Sequence, residues 1–180
     1  GRASEHLQIV TGQGSFAYFV HAVPHARVIA EWRPTLWVKS DRRGMQLLAR
    51  VVLPRTMDPN TGRPMTALLR GDTYERTGMW QQLSIHDADQ SLNREVRVLR
   101  SHFGPDVDAH EAYVDLIVLN AYGGLGAANI WVDELHITGQ VAAVRFSAHE
   151  TRQDADADPW PGAPGSDLPS PDNDAARVNG

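Results

Sequence analysis

The sequence contains no cysteine. Disulfides, thiolate nucleophiles and cysteine-ligated zinc or iron are therefore excluded. The compartment stays open, because a secreted domain with an adequate core needs no disulfide. No apolar run approaches the ~18 residues of a membrane span, so membrane insertion by this segment is not expected. The opening residues "GRASEHLQIV" have no basic stretch followed by an apolar one, and do not read as a signal peptide. Positive charge is in deficit: 17 Lys and Arg face 22 Asp and Glu, for a formal net charge of −5. A nucleic-acid partner, which calls for a clustered basic surface, is not expected. Nucleophile elbow, Ser-His-Asp pattern, metalloprotease helix and nucleotide loop are all missing, so the chain reads as non-catalytic.

What remains is an ordinary globular composition, 42% hydrophobic and 22% charged over 180 residues. That suits one domain plus a tail. The break falls near residue 148. Residues 149–180, "HETRQDADADPWPGAPGSDLPSPDNDAARVNG", are rich in Pro, Gly, Asp and Ser, and Trp160 is their single aromatic. Such a stretch buries too little apolar area to offset its ordering entropy and reads as a linker or tail. The "DADAD" within it has Pro159 where a calcium loop needs glycine.

Residues 1–148 are mostly short alternating segments: "EHLQIV", "SFAYFVH", "PTLWVKS", "GMQLLARVVL" (ended by Pro54), "GMWQQLSI", "EAYVDLIVLN", "NIWVDELHI" and "QVAAVRF". They favour Val, Ile, Leu, Trp and Tyr and are bounded by turn residues. Between two of them, Leu92, Val96, Leu99 and Phe103 recur at helical spacing. This predicts a helix over about 88–103, capped by Asp87 or Asp89, ended by Gly104-Pro105, and packing that stripe on a sheet. The expected fold is all-β, eight or nine strands in a two-sheet β-sandwich (jelly roll) with one inserted α-helix.

"IWVDELHITG" does not fit a simple strand. Ile130 and Val132 lie on one alternating face, Leu135 and Ile137 on the other. A bulge or sheet edge near Asp133 would let both halves bury their apolar residues. Adjacent Asp133 and Glu134 point to opposite faces and do not suit a glycosidase pair.

In their order, "GRASEHLQIV", "PTLWVKS", "GMWQQLSI" and "IWVDELHITG" resemble the strands of galactose-binding-like jelly-roll domains of the carbohydrate-binding-module type. The resemblance spans residues 1 to 139. The family's usual opening Phe-Glu strand is not among these residues, and the helix is no part of its common core. The resemblance implies a non-catalytic module that binds a polysaccharide or glycan, attached to other domains of a larger glycan-processing protein, outside the cell or at its surface. It also implies a structural calcium ion at Asp133, although the family's usual N-terminal Glu ligand is missing. The alternative is a structural or protein-interaction sandwich of an extracellular multidomain protein, without a sugar site; a third reading is a small glycan-active enzyme.

Sugars stack on aromatic rings while amides, arginines and carboxylates bond their hydroxyls. Among Trp32, Trp37, Tyr74, Trp80, Tyr113 and Tyr122, the candidates for one concave binding surface are Trp37 and Tyr113, with Arg50, Gln82 and Asp115 beside them. Three motifs read as structure. "YGGLGAAN" precedes a strand, so it is a hairpin connection and no phosphate loop. "RGD" at residues 70–72 is a turn before Tyr74. "HAVPH" contains Pro24, so His21 and His25 do not align as helical zinc ligands.

Overall fold

The computed structural model describes residues 4–13 and 16–143. Eight strands and one helix follow in the order β1 (Glu5–Thr11), β2 (Tyr18–Arg27), β3 (Arg33–Ser40), β4 (Gln46–Met57), β5 (Pro64–Thr73), β6 (Gln81–Ser84), α1 (Ala88–Phe103), β7 (Tyr113–Asn120) and β8 (Gly126–Thr138). The strands form two four-stranded sheets, β1-β8-β3-β6 and β2-β7-β4-β5. All pairings are antiparallel. Only β4 and β5 form a hairpin inside one sheet; every other step in the chain crosses between sheets. That alternation is the jelly roll expected above.

Strand alternation sets the core. In β3, Pro34, Leu36, Val38 and Ser40 are buried while Arg33, Thr35, Trp37 and Lys39 face outward. In β4, Leu47, Ala49, Val51 and Leu53 enter the core between the sheets, which also holds Trp32, Met45, Leu69, Leu83, Ile117 and Ile130. Close packing of such large residues supplies the main stabilisation.

α1 matches its expected span, with a correction to its stripe. Ala88, Leu92 and Val96 are buried in the common core, and Leu99 packs partly against it. Phe103 is 44% exposed: it is the last residue of the helix, where Gly104 turns the chain away. Asp87 occupies the N-cap in the left-handed region, φ 49°, without a side-chain capping bond. The helix ends at Gly104, whose φ of 100° an L side chain rarely adopts.

Four segments differ from expectation. β4 continues past Pro54 to Met57, since Pro54 falls where the β4–β5 ladder is already interrupted, between Leu53 and Met57. "PMTALLRGDT" is strand β5, so the "RGD" tripeptide lies in a strand and not in a turn. Gly71 is required there: a Cβ would stand 2.5 Å from the Ser84 carbonyl oxygen. Of "YGGLGAAN", residues 122–125 join β7 to β8 across the two sheets, which is no hairpin, and Gly126 to Asn129 already open β8. Of "QVAAVRF", residues 140–143 are described, and there Ala142 forms an isolated bridge to Ala26 of β2. The tail at 149–180, with Trp160 and "DADAD", lies outside the described residues.

Candidate functional site

β8 answers the question its sequence poses. Its ladder to β3 shifts register between the pairs Thr35–His136 and Trp37–Asp133. Two residues of β8, Glu134 and Leu135, thus oppose Leu36 alone, which is a β-bulge. Glu134 takes a left-handed φ of 50°. Before the bulge Ile130 and Val132 are buried; after it Leu135 and Ile137 turn to the core. The bulge therefore inverts the side-chain phase as the sequence required. The residue that absorbs it is Glu134. Asp133 stays in phase, paired through its backbone with Trp37 and half-buried, and its carboxylate accepts no hydrogen bond from the described residues. No group of three or more His, Asp or Glu side chains arranged to hold a metal occurs among the described residues.

The five expected binding residues divide between the two sheets. Trp37 of β3 and Gln82 of β6 are direct cross-strand partners on the outer face of the β1-β8-β3-β6 sheet. Arg50 of β4, with Tyr113 and Asp115 of β7, lies on the outer face of the other sheet. The sandwich core separates the two groups, so they form no single concave surface. The polar phase of each strand is legible in sequence, but the sheet that each strand joins is not.

On the second sheet, Arg50 donates two bonds to Asp115, Nε to Oδ1 at 3.0 Å and Nη2 to Oδ2 at 2.6 Å. The fork is mutually satisfied. Its surroundings are aliphatic: Leu48, Leu68, Leu116 and Val118 share this outward phase. Tyr113 stacks on His25, centroids 4.3 Å apart.

The first sheet's outer face is different. Trp131 of β8 is the cross-strand partner of both His6 on β1 and Lys39 on β3. The His6 ring stacks on Trp131 at 4.7 Å and 13°. Lys39, the only lysine of the chain, places its Nζ 5.6 Å from the Trp131 ring centroid. Trp37 faces Asp133, two residues along from Trp131, so the two indoles are diagonal neighbours on the outward phase of this sheet, both half-buried. Sequence reasoning singled out Trp37 and missed Trp131. The outward phase of "NIWVD" was the signal available for it.

Hydrogen-bonding groups border these rings. Gln82 and His136 are exposed, and with Thr35, Trp37, Glu134 and Leu135 they line an open groove of about 450 Å³. On the other side, Asn129 donates its backbone and side-chain amides to the two oxygens of Asp41, at 3.0 and 2.9 Å. These bonds, the side-chain one foremost, hold the Asp41 carboxyl below its ordinary pKa. His6 Nε2 lies 3.1 Å from Asn129 Oδ1. Trp80, just before β6, is 39% exposed. Of the other aromatic candidates, Trp32 and Tyr74 are fully buried and belong to the core, and Tyr122 is half-buried just after β7.

The chain matches no protein-family model and no curated protein. Among solved structures it is similar to a family 30 carbohydrate-binding module, with 12% identity and a TM-score of 0.44 over 83% of this chain and 74% of that one. It is also similar to the family 30 carbohydrate-binding module of a cellulosomal cellulase of Clostridium thermocellum. There the identity is 11% and the TM-score 0.42, over 75% of this chain and 73% of that one.

Proposed function

We propose that the domain is a non-catalytic glycan-binding module whose site is the outer face of the β1-β8-β3-β6 sheet. The observation that carries the reading is the diagonal placing of Trp37 and Trp131 on the outward phase of one sheet, bordered by Gln82, Lys39, Asn129 and Asp133. Indole faces take the apolar face of a pyranose, while the amide, ammonium and carboxylate groups meet its hydroxyls. An open sheet face suits an extended polysaccharide chain better than a buried monosaccharide. The module serves as an accessory domain of a larger glycan-processing protein acting outside the cell.

The test is a glycan array with the isolated domain, followed by calorimetry on the best ligand with Trp37→Ala and Trp131→Ala. Each truncation removes an aromatic contact worth about 0.5–1.5 kcal/mol beyond its buried area, so roughly tenfold weaker binding is expected. Unaltered affinity in both variants would move the site elsewhere. A wholly negative array would favour the interaction-sandwich reading. A structural calcium ion at Asp133 is a separate proposal that rests on the family resemblance. Chelation would then lower the melting temperature of wild type and leave that of Asp133→Ala unchanged.

A further inference from the structure

Trp131 stands between two nitrogen-bearing side chains on neighbouring strands. It is the cross-strand partner of His6 on β1 and of Lys39 on β3. Neighbouring strands lie about 4.8 Å apart, so the two residues flank the indole within roughly 10 Å of each other. The His6 ring stacks on the indole, and Lys39 Nζ is 5.6 Å from its centroid. Lys39 makes no ion pair among the described residues. Its charge is therefore open to a ligand lying on this face.

A run of hydrogen bonds fixes the His6 ring. The Asp41 carboxylate accepts from the Asn129 backbone amide at 3.0 Å and from Asn129 Nδ2 at 2.9 Å. That sets the Asn129 amide so that Oδ1 faces His6 Nε2, 3.1 Å away. Oδ1 can only accept, so Nε2 carries the hydrogen and Nδ1 of the neutral ring is bare. An added proton goes to Nδ1. It leaves the Asn129 bond in place, and the stacked indole favours the cation it creates. Imidazole changes charge between about pH 5 and 8. Acidification thus adds a second cation beside Trp131 and keeps the bond that holds the ring.

The other charged groups near His6 divide by position. β3 brings Lys39, and Asp41 follows it with both oxygens committed to Asn129. β8 brings Asp133, two residues beyond Trp131 and opposite Trp37. Glu134 and His136 lie farther along β8, in and past the bulge. On β1 itself, Glu5 takes the opposite strand phase, across from Val132. The face is cationic at Trp131 and anionic beside Trp37.

We propose, resting on the glycan reading above, that the bound polysaccharide has a neutral backbone with sparse carboxylate substituents, one of which is received by His6 and Lys39 beside Trp131. Asp133 repels a second carboxylate at Trp37, so a chain charged on every sugar is disfavoured. The hold on the carboxylate tightens as pH falls through the range in which an imidazole gains its proton.

Calorimetry on the whole 180-residue chain tests this. The probes are xylohexaose, xylohexaose bearing one glucuronate branch, and a hexamer of uronate units throughout, each at about pH 5.5 and about pH 8. Free carboxyl groups titrate near pH 4, so the side chains that change charge between the two conditions are imidazoles. At the lower pH the branched chain is expected to bind about fivefold tighter than the bare one, the size of a favourable surface ion pair. That ratio is expected to fall by about twofold or more at the higher pH. The hexauronate is expected to bind more weakly than the branched chain. His6→Gln keeps a donor for Asn129 and cannot titrate, so its ratio is expected to be equal at both pH values, while His136→Gln keeps the wild-type dependence. Lys39→Met is expected to lower the ratio at both. A ratio near one, a wild-type ratio unmoved by pH, a ratio that still moves in His6→Gln, or tightest binding by the hexauronate would each overturn the proposal and leave the glycan face standing. Binding of none of the three probes would remove the glycan reading and the proposal with it.

Discussion

Tyr74 shows how one residue organises several corners of the sandwich. Its ring is fully buried, and its hydroxyl accepts from the Ser40 amide at 3.1 Å. The same oxygen lies within donor reach of the carbonyls of Ser40, Met79 and Arg76. Tyr74→Phe keeps the packing and strands the Ser40 N–H, so a loss of about 1–3 kcal/mol is expected in urea denaturation. Asp41 acts at the surface of the same end. Its carboxyl pKa is depressed by the two Asn129 bonds. A depressed pKa contributes stability that is present above the unfolded value, near 3.8, and lost as pH falls through the lower folded value. Asp41→Asn is therefore expected to be less stable than wild type at pH 7, with the difference closing below about pH 4. The effect is small, because the group is nearly all in solvent. Urea midpoints at both pH values check it.

At the scale of elements, the bulge and the helix were legible to different depths. The phase conflict of "IWVDELHI" required an irregularity, and one is there. Its residue was not legible, because Asp133 and Glu134 are chemically alike and only backbone geometry separates them. A left-handed conformation costs an L residue roughly 1–2 kcal/mol, and glycine escapes that cost. Glu134→Gly is accordingly expected to melt higher than Glu134→Ala by about 1 kcal/mol. Both lose the same side-chain contacts, so the pair isolates the backbone. Equal stability would mean that the bulge relaxes. The helix was legible in extent because its spacing is regular and Gly104 stops it. The depth of each position was not, since the sequence does not say where the edge of the sheet ends beneath it. Leu92→Ala is expected to cost about 2–5 kcal/mol, as core truncations do. Phe103→Ala is expected to cost less than about 1 kcal/mol. Thermal melting of the two variants checks the contrast. β5 was missed for a further reason: "LLRGDT" carries turn-type residues, yet its glycine is there because Ser84 leaves no room for a side chain.

For the whole molecule, alternation tells inward from outward but not one sheet from the other. Each sequence candidate, Trp37, Arg50, Gln82, Tyr113 and Asp115, does turn outward, as its strand's phase requires. Jelly-roll connectivity then sends consecutive strands to opposite sheets, so the set divides into two faces with the full core between them. This separation makes a sharp prediction. Replacing Arg50 with Met and Asp115 with Leu removes both members of an ion pair in an aliphatic setting, where the side chains are 24% and 15% exposed. Removing both partners together avoids the uncompensated charge that a single replacement leaves, so the double variant is expected to fold with a stability within about 2 kcal/mol of wild type. Its glycan affinity is expected to match wild type within about twofold, since sites on separate faces that share no contacts are independent. Trp37→Ala, on the opposite face, is expected to bind roughly tenfold more weakly while melting near wild type. Calorimetry and melting on the same three proteins decide the matter. If Arg50→Met/Asp115→Leu abolishes binding and Trp37→Ala does not, the glycan lies across β4 and β7, and the Trp37–Trp131 face is left with a different role.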